Sequence, residues 1–311
     1  MCTRVFLADN PVAKVAGRTL DLSFVDEPRL WWLPAGLTRR GHPTDETLTW
    51  TSQYPSMVIT EWGGECLDGI NGMGLAAHAL MYTSAGYEPA DERPTLATAA
   101  WVSYILDNFA TVAEAVLHLS AVRVAPVPIR DLDIGVHVAI EDADGDSAIF
   151  EPIDGEMVVH HGRQYQIMAN SPSLDEQLQN LARYRPFGGE LPPPGDITSA
   201  DRFVRASYFH HFLPEPDDPR MAVAEVLQVL TTVAKPLGAP YPEGDIYPTR
   251  WLSAVDLTDL DYYFWSRTSP SLVWASMSDF DDVTGPRSVP LLDENLAGGI
   301  ADAMLPTPPP A

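Results

Sequence analysis

Cysteine is nearly absent from this chain, which carries only Cys2 and Cys66. Two cysteines cannot make a disulfide framework, and their spacing matches no Cys/His metal pattern. Without an export signal both are read as reduced thiols, one reactive and one buried. No run of about eighteen apolar residues occurs, so no transmembrane helix is expected. The N-terminus lacks the basic and apolar regions of a signal peptide, and a cytoplasmic protein is expected. Basic residues are scarce, 19 against 43 acidic ones, for a formal charge of −24. Such a surface repels phosphate backbones and anionic lipid, so neither nucleic acid nor membrane is an expected partner. A single pocket can still be locally positive. No glycine-rich phosphate loop joins a strand to a helix, which leaves a nucleotide fold unsupported. The eight histidines include the neighbours His160–His161 and His210–His211. Adjacent strand residues face opposite sides, so no joint metal site is expected.

What is present is ordinary globular material, 45% apolar, over 311 residues. No linker-like run divides the interior, giving one expected domain over 2–302 and a proline-rich, disordered tail over 303–311. Alternating patterns predict strands at Val5–Ala8, Val12–Leu20, Thr47–Thr51, Met57–Trp62 and Gly74–Tyr82, with a break over Gly63–Gly69. Leu96–Val124 has apolar residues at helical spacing, one helix or two in series, with Thr111 as cap. An antiparallel meander is expected over Val136–Glu141, Ser147–Glu151 and Met157–His161. Helices are expected over Glu176–Tyr184, Asp201–Phe212 and Met221–Ala234. Three strands close the chain, at Thr249–Asp256, Asp261–Arg267 and Val273–Ser278. Two groups of antiparallel strands flanked by helices predict a layered helix–sheet–sheet–helix sandwich of the α+β class.

The chemistry gathers at the first two dozen residues. Removal of Met1 would leave Cys2 with a thiol and a free α-amine on one Cα. An α-amine titrates near about 7.7–8.0 and a thiol near about 8.5. One residue then holds a nucleophile and the base that activates it. A hairpin through Asp9-Asn10-Pro11 would return Arg18 and Asp21 beside Cys2. There Asp21 could hold the amine and Arg18 could favour a thiolate; the plainer reading of both is a surface ion pair. Phe24, Trp31 and Trp32 could line an acyl pocket or simply fill core.

The residues in order resemble the choloylglycine hydrolase family, the bile salt hydrolases and penicillin V acylases among the N-terminal nucleophile hydrolases. The landmarks are Cys2-Thr3-Arg4, Arg18 with Asp21, Asp68 through Leu75, Tyr104 through Asn108, and Ala169-Asn170-Ser171-Pro172. Pro194-Gly195-Asp196 leading to Arg202-Phe203-Val204-Arg205 and the strand Asp261–Phe264 complete the set. The resemblance implies a four-layer αββα sandwich and a homotetramer. It implies Cys2 as nucleophile with its α-amine as base, Asp21 on that amine, and Arg18 against the thiol. Asn170 would donate to the oxyanion, with a backbone N–H of Met81 or Tyr82 as second donor. Arg202 would complete the charge network, Arg205 being the less favoured candidate. The chain departs from the family at Gly72-Met73, where an acidic residue usually follows Asn71. It has Met81 and Tyr82 where bile salt hydrolases tend to place Asn. That leans toward an aromatic or acyl-chain pocket lined by Phe24, Trp31, Trp32, Met81 and Tyr82.

The expectation is therefore an amidohydrolase for the linear amide of an N-acyl small molecule, passing through a thioester and needing no metal or organic cofactor. Penicillins, conjugated bile salts, N-acyl homoserine lactones and other fatty amides all remain open as substrates. A glutamine amidotransferase is the rival enzyme, although those usually continue Cys-Gly-Ile where Thr3-Arg4 stands here. A binding protein that has lost catalysis on the same scaffold is the rival of another class, to be separated by titrating N-acyl substrates against the thiol.

Overall fold

The structure, a computed structural model, describes residues 1–310 except 25, 45–47, 129–133, 242–243, 270 and 294. The N-terminal alternation becomes a hairpin of β1 (Cys2–Leu7) and β2 (Val15–Asp21), with Cys2 opposite Leu20 and Arg4 opposite Arg18. Asn10 shapes its turn, Oδ1 accepting the N–H groups of Val12 and Ala13 at 3.0 and 2.9 Å. Every residue of both strands is buried, because the sheet they head is covered on both faces.

That sheet has seven strands, in spatial order Ile167–Met168, β1, β2, Thr249–Asp256, Asp261–Ser266, Leu272–Ser276 and Gly298–Gly299. The second has nine: Glu156–His161, Ser147–Ile153, Val136–Glu141, Ala76–Met81, Glu65–Asn71, Ser56–Glu61, Arg29–Leu33, Arg287–Pro290 and Leu305–Pro306. Helix α1 (Trp101–Asn108) packs on the nine-stranded sheet together with α2 (Val112–His118). Helices α4 (Ser199–His211) and α5 (Pro219–Val233) cover the seven-stranded sheet, and α3 (Leu174–Leu181) packs on α4. The layers run helix, sheet, sheet, helix, as the pattern predicts. The caps are sequence-encoded: Thr111, Ser173, Thr198 and Asp218 each accept a first-turn N–H, worth about 1 kcal/mol apiece.

Two local readings change. Glu65–Asn71 is a strand, not part of a break. Its Gly69 is present for close packing, since a Cβ there would lie 2.7 Å from the Met57 carbonyl and 2.9 Å from Leu106. The predicted helical stretch Leu96–Val124 holds two short helices, and its ends pair as parallel strands Thr95–Ala97 and Arg123–Ala125. Of the strand expected over Thr47–Thr51, Thr49–Thr51 forms; Thr47 lies outside the described residues. The tail begins as an edge strand, with Leu305 opposite Ser288; Ala311 lies outside the described residues.

A charged seam joins the sheets. Arg4 pairs with Glu141, whose other oxygen meets His78 Nε2 at 2.5 Å, while His78 Nδ1 pairs with Asp68. Asp68 also accepts from Ser253 and, at 2.6 Å, from Tyr262. Arg4, Asp68, His78 and Glu141 are all fully buried. Burial alone would lower His78, but Asp68 and Glu141 outweigh it and raise the imidazolium to about 9. The two carboxyls are held below their usual range against their own burial, Asp68 chiefly by His78 and Glu141 chiefly by Arg4.

Candidate active site

The pleat of the hairpin sorts its side chains onto two faces. Cys2, Arg4 and Arg18 point toward the nine-stranded sheet; Thr3 and Asp21 point toward α4 and α5. The Cys2 backbone nitrogen sits at the strand end, between the two faces.

On the inter-sheet face, Arg18 Nη2 donates to Cys2 Sγ at 2.9 Å. Its other nitrogens reach the carbonyls of Ala79 (2.8 Å), Leu67 (3.3 Å) and Thr19 (3.2 Å), and the guanidinium lies 5.1 Å over the Trp251 ring. Among the described residues no carboxylate is in direct ion-pair contact with Arg18, and its buried charge acts on both the Cys2 sulfur and, without contact, Asp68. Burial by itself raises the Cys2 thiol; Arg18 and the N-terminal ammonium outweigh burial and hold it below its usual range. At Cys66 burial outweighs the Ser103 hydrogen bond and the Arg39 charge and pushes the thiol up to about 12. Of the two thiols only Cys2 is poised to give up its proton.

On the helix face, Asp21 Oδ1 accepts from Thr249 Oγ1 at 2.6 Å. Asp21 Oδ2 has Lys235 Nζ at 3.1 Å and Arg202 Nη1 at 3.9 Å as ion-pair partners, but takes no well-directed hydrogen bond. Arg202 Nη1 donates to the Cys2 carbonyl at 2.5 Å and to Thr3 Oγ1, and Nη2 to Asn170 Oδ1 at 2.8 Å. Asn170 Oδ1 also accepts the Cys2 backbone N–H at 2.5 Å, and Nδ2 donates to the Met81 carbonyl at 2.7 Å. Donors on one side and a carbonyl on the other fix the orientation of that amide. The Asn170 carbonyl is held by Gln177 (3.1 Å) and Ser199 (2.9 Å). Arg205 turns away, bonding the carbonyls of Thr232, Pro194 and Asp196.

Met1 caps the arrangement. Its amine donates to the Asp21 carbonyl at 2.6 Å and its carbonyl accepts the Asp21 N–H at 2.7 Å. Burial lowers that amine from its ordinary value. Met1 also lines an apolar cleft with Cys2, Arg18, Leu20, Leu22 and Met81. Loss of Met1 would open this cleft and convert the Cys2 nitrogen into an amine beside Asp21 and Asn170.

The sequence-predicted residues divide clearly. Cys2, Arg18, Asp21, Asn170 and Arg202 come together. Of the five pocket candidates only Met81 lines the cleft. Trp31 and Trp32 fall on opposite faces of their strand, Trp31 in the core under α1 and Trp32 between the sheets, stacked on Phe280 at 5.3 Å. Phe24 packs on Trp62 beside a separate hollow, and Tyr82 is buried against His137. The Tyr82 N–H already donates to the Gly135 carbonyl at 2.7 Å. Leu20, Leu22, Leu67 and Val136 line the cleft instead; as ordinary strand residues they give no sequence signal. Lys235 and Thr249 were likewise missed. The one available hint was that only two of the 19 cations, Lys14 and Lys235, are lysines.

Comparison with known proteins places the chain beside one family. The family described as linear amide C–N hydrolases, choloylglycine hydrolase family, matches residues 2–284. Penicillin V acylase of Pectobacterium atrosepticum is 35% identical over 305 residues, covering 89% of this chain and 81% of the relative. A bile salt hydrolase/transferase of Bifidobacterium longum is 25% identical, covering 90% and 96%. Among solved structures, penicillin V acylase from Agrobacterium tumefaciens superposes with a TM-score of 0.88 at 34% identity, covering 99% and 98%. A mutant conjugated bile acid hydrolase from Clostridium perfringens shares the fold, with a TM-score of 0.81 at 19% identity over 96% and 98%.

Proposed function

The chain belongs to the choloylglycine hydrolase family of linear amide C–N hydrolases, and on that premise we propose that Cys2, freed by removal of Met1, is its nucleophile. The observation that carries this reading is the hydrogen bond from buried Arg18 to Cys2 Sγ at 2.9 Å, with the Cys2 nitrogen 2.5 Å from Asn170 Oδ1.

The α-amine takes the thiol proton, and the thiolate adds to the amide carbonyl. Negative charge develops on the carbonyl oxygen, where the Asn170 side-chain amide serves as donor after exchanging its bond to the Met81 carbonyl. A second donor must come from the strand end at Met81–Tyr82, and the Tyr82 N–H would have to give up Gly135 to serve. The C–N bond then breaks as the N-terminal ammonium returns its proton to the leaving amine. Water, deprotonated by the same amine, hydrolyses the thioester and restores the thiol. Asp21 and Arg202 hold the amine and the Cys2 backbone in place.

The substrate class is an N-acyl amide whose acyl group is neutral and apolar, of the penicillin V or N-acyl homoserine lactone kind. The largely apolar lining of the cleft supports an apolar acyl group, and the 35% identity to a penicillin V acylase supports this class over a bile salt. The test is a panel of penicillin V, an N-acyl homoserine lactone and a conjugated bile salt, read by amine release. Wild type is expected to release amine from the first two faster than from the third, and the Cys2→Ala and Cys2→Ser variants to release none above background while keeping the fold. Retained turnover in the folded Cys2→Ala protein would end the proposal.

A further inference from the structure

Resting on that reading of Cys2, we propose that Lys235 is a positioning residue for the reaction: its ammonium fixes Asp21 on the helix face of β2 and so keeps the N-terminal amine in its basic form at neutral pH. Lys235 comes just after Ala234, the C-cap of α5, and is 4% exposed. Its Nζ lies 3.1 Å from Asp21 Oδ2 and donates to Tyr241 Oη at 2.5 Å; that hydroxyl donates onward to the Ile197 carbonyl at 3.1 Å.

The backbone of Lys235 is tied to the same carboxylate by a second route. Its N–H donates to Thr249 Oγ1 at 2.8 Å, the Thr249 N–H returns to the Lys235 carbonyl at 3.0 Å, and Thr249 Oγ1 donates to Asp21 Oδ1. One residue pair therefore addresses both Asp21 oxygens. The chain builds its cations almost entirely from arginine, 17 to 2. The compact lysine ammonium fits between carboxylate and phenol as a point charge, and unlike a guanidinium it titrates when buried.

The charged and titratable groups facing this point are Asp21 from β2, Cys2 from β1 with the N-terminus before it, Arg202 from α4, and Tyr241 from the segment after α5. Burial lowers Lys235 to about 8, with Asp21 opposing the shift. Its charge is thus present through neutral pH, where it opposes protonation of the amine and favours the thiolate.

The experiment compares wild type with Lys235→Met, Lys235→Gln and Lys235→Arg. It measures the pH dependence of Cys2 alkylation by iodoacetamide, which needs no substrate, and of kcat/KM on penicillin V; thermal melting checks the fold. Loss of the charge is expected to move the acid limb of both profiles up by about one pH unit, a roughly tenfold loss below the limb, with KM little changed. Lys235→Arg is expected to keep the wild-type limb. Lys235→Gln retains a donor toward Asp21 and stands in should Lys235→Met fail to fold. Neutral variants whose limbs coincide with wild type, whether fully active or uniformly weakened, would overturn the proposal. An alkylation limb that shifts in enzyme unable to cleave penicillin V supports Lys235 and counts only against the substrate. Full turnover in Cys2→Ala would instead remove the reading of the site itself.

Discussion

Two clusters of buried charge flank the same hairpin and behave differently. The seam of Arg4, Glu141, His78 and Asp68 is closed: each carboxylate oxygen and both imidazole nitrogens have partners, Arg4 Nε being the exception. None of its members lines the cleft. The cluster around Cys2 is as deeply buried but unfinished. Asp21 Oδ2 lacks a directed hydrogen bond, Arg18 donates to a thiol, and Cys2 and Arg18 both line the cleft. Perturbed titration alone does not separate them, since His78 is shifted as well as Lys235 and Cys2. What marks the reactive cluster is bonding capacity left unused beside open space. A closed seam holds two sheets in register; an open one has donors and charge to offer a substrate.

The contrast is sharpest in substitutions. His78→Leu should leave two buried carboxylates without their shared cation, costing about 3–5 kcal/mol of unfolding free energy. Turnover per folded molecule should persist; a denaturant titration paired with active-site counting checks both. Asn170→Ala should reverse the pattern, lowering kcat by about 10²–10³-fold while the melting temperature changes far less. If His78→Leu instead destroyed catalysis in stably folded protein, the two clusters would not be separable.

Stability against pH gives a gentler test. His78 is raised on folding, so its contribution is complete below its unfolded value of about 6.5 and is lost as pH rises through about 9. Asp68 and Glu141 are lowered, so their contribution is present above the ordinary carboxylate range and is lost as pH falls below it. Lys235, lowered to about 8, acts with the opposite sign to His78 above that point. The unfolding free energy of wild type relative to His78→Leu should therefore decline as pH rises from about 6.5 to about 9, the difference isolating His78 from the opposite pull of Cys2 and the N-terminal amine. The smallest effect belongs to the other thiol. Cys66→Ala should cost about 1 kcal/mol, and iodoacetamide at neutral pH should label Cys2 while sparing Cys66.

Much of this was legible in the chain because it is local. Cys2, Arg18 and Asp21 lie on one hairpin whose turn is written in Asp9-Asn10-Pro11, so pairing Cys2 with Leu20 brings them together. Asn170 and Arg202 were reachable through the motif set around them. Lys235 and Thr249 were not, since contacts between residues more than 200 positions apart leave no spacing to read. Trp31 and Trp32 were misplaced for a simpler reason: neighbours on a strand face opposite ways, and aromatic character does not say which face meets a cleft. Gly69 read as a breaker because its purpose, admitting Leu106 and the Met57 carbonyl, belongs to the packed state.

The most direct measurement is the intact mass of active enzyme, taken alone and after rapid quenching during turnover of penicillin V. The expected masses are those of a chain lacking Met1, and of that chain carrying one acyl group that hydroxylamine removes and that is absent in Cys2→Ala. Full activity in protein that keeps Met1, or an acyl group carried elsewhere than Cys2, would contradict the account.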